Sequence, residues 1–341
     1  MRIGIVLLLA GASTLFAPDG ATAETSAQGP LPFCQVERLQ EIDKNWEMSI
    51  VTAADTSGRY IAGRGYPEDS GYRRVPVVWD RGEPTAVDIP GIDQSIRDMN
   101  AAGVAVASSY DEQTWEPLTP WIIRDGRLGA LPGVASGTAN GINERGDVVG
   151  ETADRQPVKW PAIGTGNGVA VLLPMPKGAT WAQAHDIDED GTIVGFHGDV
   201  DGAERAHVWT PDGEIAVLPP LPGAAEQSAA FTIRGGWITG RALSEDGTWQ
   251  QARWRLTDEP QTFPRFDYLA GANASGWLVG SAFEQRALLW AGSRYVELPG
   301  LAALGEYGSD LATEISDNGR TIAGYATDEE EALRAVRWTC S

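Results

Sequence analysis

Short apolar runs rich in β-branched residues recur along the chain, each set off by polar turn residues. Val148-Val149-Gly150, Ile193-Val194-Gly195 and Ile322-Ala323-Gly324 are three of them. Such runs read as strands. The closing glycine returns at Gly63, Gly150, Gly195, Gly240, Gly280 and Gly324, with Ala107 in the second copy, so the repeat length averages about 43 residues. A strand ending in Trp follows each time, at Trp79, Trp121, Trp160, Trp209, Trp254, Trp290 and Trp338. Five of these have Ala or Pro three residues earlier: Pro76, Pro157, Ala206, Ala287 and Ala335. Asn or Asp opens a tight turn before the β-branched run in five copies, as in Asn143 to Gly146 and Asp188 to Gly191, and Ser316 does so in the seventh, with glycine supplying the positive φ. Four strands per copy and seven copies predict an all-β, seven-bladed propeller, with the Trp rings packing blade on blade.

The fifth copy departs from this phrase, since Arg234 and two glycines stand where the others carry a longer turn. The last copy stops just after Trp338 and has no fourth strand of its own. Residues 33–39, ahead of the first copy, resemble the fourth strand at 294–298, so they are expected to complete the seventh blade and remove its open edge. The only two cysteines, Cys34 and Cys340, then fall side by side and are expected to form a disulfide.

Residues 1–23 carry a basic start, an apolar core and Ala21-Thr22-Ala23, the pattern of a cleaved secretory signal. Residues 24–32 read as a spacer, and 33–341 as the propeller. A formal charge of −21 argues against nucleic acid and against an anionic membrane surface as partners. The expectation is a secreted, extracellular, monomeric protein with no membrane partner.

The pattern Leu-Pro-Gly, Gly-Ile-Asn with Val-Val-Gly, and Ala-x-x-Trp resembles the HAF-repeat family of bacterial extracellular proteins. The resemblance is strongest over residues 138–160, 184–209, 271–290 and 312–338. The name-giving His-Ala-Phe triplet is absent; Ala206-His207-Val208-Trp209 stands nearest to it. The resemblance implies a secreted repeat protein and supplies no catalytic residues.

Loops between second and third strands, and those linking blades, are long and varied, and they share one face. Variable loops on a rigid ring are where binding resides. They carry Tyr66, Tyr72, Tyr110, Trp115, Trp181, Trp249, Tyr307 and Tyr325, aromatics suited to stacking on sugar rings or gripping cations. Residues 186–191 match the start of a calcium loop, but the repeat register makes Asp188 and Gly191 ordinary turn residues, and His197 stands where a calcium loop needs a bidentate Glu. His185, His197 and His207 have no recognised metal-ligand spacing. No nucleophile elbow, zinc-protease motif or Cys–His pair is present, and no metal or cofactor is expected. The reading is a non-catalytic binding module for a glycan or extracellular partner. The alternative is a propeller hydrolase or lyase acting on polysaccharide through carboxylates.

Overall fold

The computed structural model describes residues 32–164, 166–223, 226–256, 258–283, 285–305 and 308–341. The expected signal segment and most of the spacer lie outside the described residues. Seven four-stranded antiparallel sheets form a ring, with no helix among the described residues. The innermost strands are Trp46–Ala54, Ile92–Met99, Gly137–Ile142, Ala179–Ile187, Ser228–Arg234, Phe266–Ala272 and Leu311–Ile315. Blade 3 adds a small hairpin, Ala162–Ile163 with Gly166–Asn167, before its outer strand.

The ring closes as the sequence predicts. Cys34–Arg38 lies antiparallel to Leu333–Cys340, pairing Cys34 with Cys340 and Arg38 with Val336, and the two cysteines are bonded. The segment after this strand is tied to blade 7 as well. Leu39 N–H donates to Ala335 O at 2.9 Å, and the Arg334 guanidinium, almost fully buried, donates to Trp46 O at 3.0 Å and pairs with Asp328 at 2.6 Å.

The repeated glycine has a steric cause. In every blade the innermost strand slips by one residue against the second strand, at Thr52, Arg97, Asn140, His185, Phe231, Ala270 and Thr313. This bulge brings a carbonyl of the innermost strand against the glycine opposite it. A Cβ at Gly195 would stand 1.9 Å from Gln183 O, and one at Gly150 2.0 Å from Thr138 O, so only glycine fits. The second copy tolerates Ala107 beside a longer irregularity, between Ile92 and Ser95.

The Trp and the Leu-Pro phrase are partners. Trp160 Nε1–H donates to Pro132 O, Trp209 to Pro174 O, Trp254 to Pro219 O and Trp338 to Pro299 O, at 2.7–2.9 Å. Each acceptor is the Pro of the linker that leads into that Trp's own blade. The Leu before it is buried in three of the linkers, and the N–H of Leu173, Leu218 and Leu298 returns to the residue three before the previous blade's Trp, as in Leu218 to Ala206 O at 3.0 Å, while Leu131 bonds Pro120 O, one residue before Trp121. The aromatic ring therefore fills the inter-blade space while its one polar atom is satisfied. Trp79 uses Gln40 O in the same way, so the segment that closes blade 7 also anchors blade 1.

Candidate ligand-binding site

The innermost strands line a central channel, and in blades 2, 4 and 5 both residues of the bulge face it. It encloses a cavity of about 230 Å³ bounded by Arg97, Asp98, Asn140, His185, Asp186 and Phe231, with Thr232, Arg234 and Glu314 below. Three carboxyls thus converge. Asp98 accepts from Ile142 N at 2.7 Å on the next blade, and Asp186 accepts from Ile233 N at 2.8 Å on the next, so both staple neighbouring blades through their backbones. Burial, then the charge of Asp186, holds Asp98 well above the usual carboxylate range. Burial also pushes Asp186 up to about 6, and burial with the charges of Asp98 and Asp186 raises Glu314. The Glu314 carboxyl has no hydrogen-bond partner among the described residues.

The tight-turn end of the channel carries a collar of hydrogen bonds that joins all seven blades. Thr56 Oγ1 donates to Glu144 at 2.9 Å, Glu144 N–H to Glu189 at 3.0 Å, and Arg234 pairs with Glu189 at 3.0 Å and Asp317 at 3.1 Å. Asp317 N–H returns to Thr56 O at 2.9 Å, while Ala101 and Ala274 donate to Glu144 and Asp317. Two of these links skip a blade, from 1 to 3 and from 5 to 7, and so cut across the mouth. The irregular fifth copy is explained here. Gly235 and Gly236, both at positive φ, make a two-residue turn that leaves Arg234 free to reach across, and their N–H groups cap Asp188 at 3.0 and 2.7 Å. Burial opposes the charge on Arg234, but Asp317 and Glu189 outweigh it and raise its pKa.

On the opposite, long-loop face the aromatics expected to bind fall into two groups. Tyr66 is buried under Arg74, whose guanidinium lies 4.4 Å from its ring centre. Trp181 opens the innermost strand of blade 4 rather than lying in a linker, is covered by Arg155 at 3.5 Å and presses against Gly198. Tyr110 and Tyr325 are half-buried in strands, and Trp249, 39% exposed, has the Arg241 guanidinium on one face at 4.5 Å. Tyr307 lies outside the described residues. Tyr72 and Trp115 differ. They are 58% and 50% exposed and meet edge to face at 4.8 Å, across the loops of blades 1 and 2. Trp115 is held at φ +59, a conformation that bulky residues avoid. The loop enforces it: Asp111 Oδ1 accepts from Gln113 and Thr114 N–H, and Trp115 N–H donates to Asp111 O at 3.0 Å.

The segment 186–191 is a hairpin turn whose carboxylates diverge. Asp186 enters the channel, Asp188 caps the turn of blade 5, and Asp190 accepts from Thr192 N–H at 2.8 Å. Among the described residues no group of three or more His, Cys, Asp or Glu is placed to hold a metal. His197 and His207 nevertheless touch, Nδ1 to Nδ1 at 3.3 Å, in the interior of blade 4. Burial, then the charge of His197, depresses His207 to about 3, so this pair stays uncharged. The sequence reading missed Arg97, Asp98, Asn140 and Glu314. Their signal was positional: each lies one or two residues before the apolar residue of the Gly-Ile-Asn phrase.

No family model matches the chain, and no curated protein matches it. Solved propellers share its fold. The β-propeller domain of the Trilobed protease from Pyrococcus furiosus is 11% identical, with 86% of this chain and 94% of that chain covered and a TM-score of 0.53. Virginiamycin B lyase from Staphylococcus aureus is 13% identical over 91% of this chain and 99% of that chain, TM-score 0.51. Puromycin hydrolase is 12% identical over 88% of this chain and 54% of that chain, TM-score 0.56. At such identities the likeness is one of fold. The first is described as having an open velcro topology, whereas here a strand and a disulfide shut the ring.

Proposed function

We propose that this chain is an exported, non-catalytic binding module of the HAF-repeat type, whose ligand docks on the long-loop face. The ligand is a glycan or the surface of an extracellular protein. The carrying observation is the exposed Tyr72–Trp115 pair, with Trp115 held outward at a backbone conformation that costs about 1–2 kcal/mol. Such strain in an exposed ring supports a role for that ring. Two perpendicular aromatics present one flat face and one edge, the surface on which a sugar ring stacks. The secretory pattern at the N-terminus and a disulfide suited to an oxidising compartment support export.

The alternative, a polysaccharide hydrolase or lyase, is favoured by the three carboxyls with raised pKa in the channel. Two of them, Asp98 and Asp186, are engaged in backbone bonds between blades, which weighs towards the binding reading. A glycan array with wild type and Trp115→Ala, run beside a polysaccharide turnover assay, tests both. Binding that is lost in the variant, without product, is the expected result; product formation would displace the binding reading by the alternative.

A further inference from the structure

Arg97 is the odd residue of the channel. It sits on the bulge of blade 2, solvent-exposed, in a protein of formal charge −21, yet it has no ion-pair or hydrogen-bond partner among the described residues. The carboxyls at the channel floor are not its partners: Asp98 and Asp186 bond backbone N–H groups, and Arg234, which stabilises their charge, is engaged with Glu189 and Asp317. The charge of Arg97 is felt instead towards the long-loop end, by Glu151 and His185.

A neighbouring group is also incompletely satisfied. Asn140 Nδ2 donates to Ala184 O at 3.0 Å, but its Oδ1 is buried without a partner. Glu151, on the second strand of blade 3, accepts from Gln183 at 2.9 Å and does not line the cavity. Buried acceptors left unpaired in native proteins are uncommon and ask for an occupant. His185 stacks on Phe196 at 5.1 Å and meets Phe231 edge-on, and burial, then Arg97, depresses it to about 4, so it presents a neutral ring.

We propose that the channel is a binding site for one carboxylate-bearing sugar unit, its carboxylate on Arg97 and a hydroxyl directed at Asn140, which lines the same cavity. An apolar ring face would lie against Phe231. The cavity, about 230 Å³, is below the 300–1,000 Å³ of drug-sized pockets and takes one ring rather than a polymer. The net charge agrees, since it repels a polyanion but tolerates one charge held by a guanidinium. The collar narrows the far mouth, so the unit enters from the long-loop face. This deepens the glycan-binding reading and rests on it. A free sugar acid and the acidic terminus of a glycan share this chemistry.

The test is calorimetry and thermal shift on the mature protein with glucuronate, galacturonate and N-acetylneuraminate, against glucose and galactose. One of the acids is expected to bind. Its neutral counterpart, and Arg97→Gln with the acid, should bind at least about tenfold more weakly, the loss of one charged hydrogen-bonding partner. Arg97→Gln should stay close to the wild-type melting point, because Arg97 makes no hydrogen bond or ion pair among the described residues. A glycan ending in the acid that binds as well as the free acid identifies a terminus as the ligand, and one that does not identifies the free acid. Failure of all three acids, or undiminished binding by Arg97→Gln, overturns the proposal. Glycan binding lost in Trp115→Ala but kept in Arg97→Gln overturns it too, and leaves the rim reading standing.

Discussion

Removal of the Cys34–Cys340 bridge puts a number on ring closure. The bridge spans 306 residues of chain. The loop-closure entropy it withdraws from the unfolded ensemble corresponds to about 5.7 kcal/mol. A folded unit of about 310 residues has an unfolding entropy of roughly 0.65 kcal/mol per kelvin, so the full effect lowers the melting midpoint by about 9 °C. Residual structure in the unfolded chain reduces this, and a fall of about 4–9 °C is expected for Cys34→Ala/Cys340→Ala. Calorimetry reads the midpoint. Limited trypsin digestion reads the closing strand itself, since Arg38 lies within it and Lys44 just beyond. In wild type the pairing of Cys34–Arg38, the Leu39 bond to Ala335 and the Arg334 network hold this segment, and both sites should resist. In the variant they should be cut before any other site. A midpoint within about 1 °C of wild type, with both sites still protected, would show that strand pairing alone shuts the ring and refute the entropic argument.

Gly195→Ala should cost more than about 2 kcal/mol in urea unfolding, because its Cβ meets a carbonyl at 1.9 Å, whereas Gly247→Ala, with open space around it, should cost only about 1 kcal/mol of backbone strain. Equal costs would mean that the bulge does not set the glycine. Trp209→Phe strands the Pro174 carbonyl and should lose about 1–3 kcal/mol more than Trp290→Phe, whose indole makes no such bond among the described residues. The channel acids and the histidines should bend the pH–stability curve in opposite senses. Asp186, raised to about 6, contributes stability that is complete below pH 3.8 and lost as pH rises through 6. His207, depressed to about 3, contributes stability present above pH 6.5 and lost as pH falls towards 3. Asp186→Asn should therefore flatten the fall of stability between pH 4 and 6, and His207→Gln its loss on acidification; thermal melts across pH 3–8 with unchanged slopes would contradict the assignment.

The architecture was legible because it is written seven times. Each repeated residue answers a contact made in every blade or nearly every blade: glycine to the bulge carbonyl, Trp to the linker carbonyl, Asn or Asp to the turn. Asn143, for example, donates to Asp188 O on the next blade at 3.2 Å. The closing strand and the disulfide followed from counting strands. The channel was not legible, because its residues differ from blade to blade. Arg97, Asn140, His185 and Phe231 share one structural position and no chemistry, so no motif joins them in sequence. The aromatics misled for the converse reason. A loop Trp or Tyr looks alike in sequence whether an arginine covers it, as at Trp181, or leaves it bare, as at Trp115. Arg234, which weakened the alignment of the fifth copy, is a key residue of the collar.

The pairing of residues 34–38 with 336–340 also sets an order in time. The strand made first is placed last. Chains emerge N-terminus first, so Cys34 and its neighbours wait through the synthesis of some 300 residues before their partners exist. Blade 1 waits with them, since Trp79 is anchored by the carbonyl of Gln40 in that same segment. Middle blades can assemble as they appear; the first and seventh mature together, when the chain is complete. With no third thiol in the sequence, Cys34 has no wrong partner within its own chain during that interval.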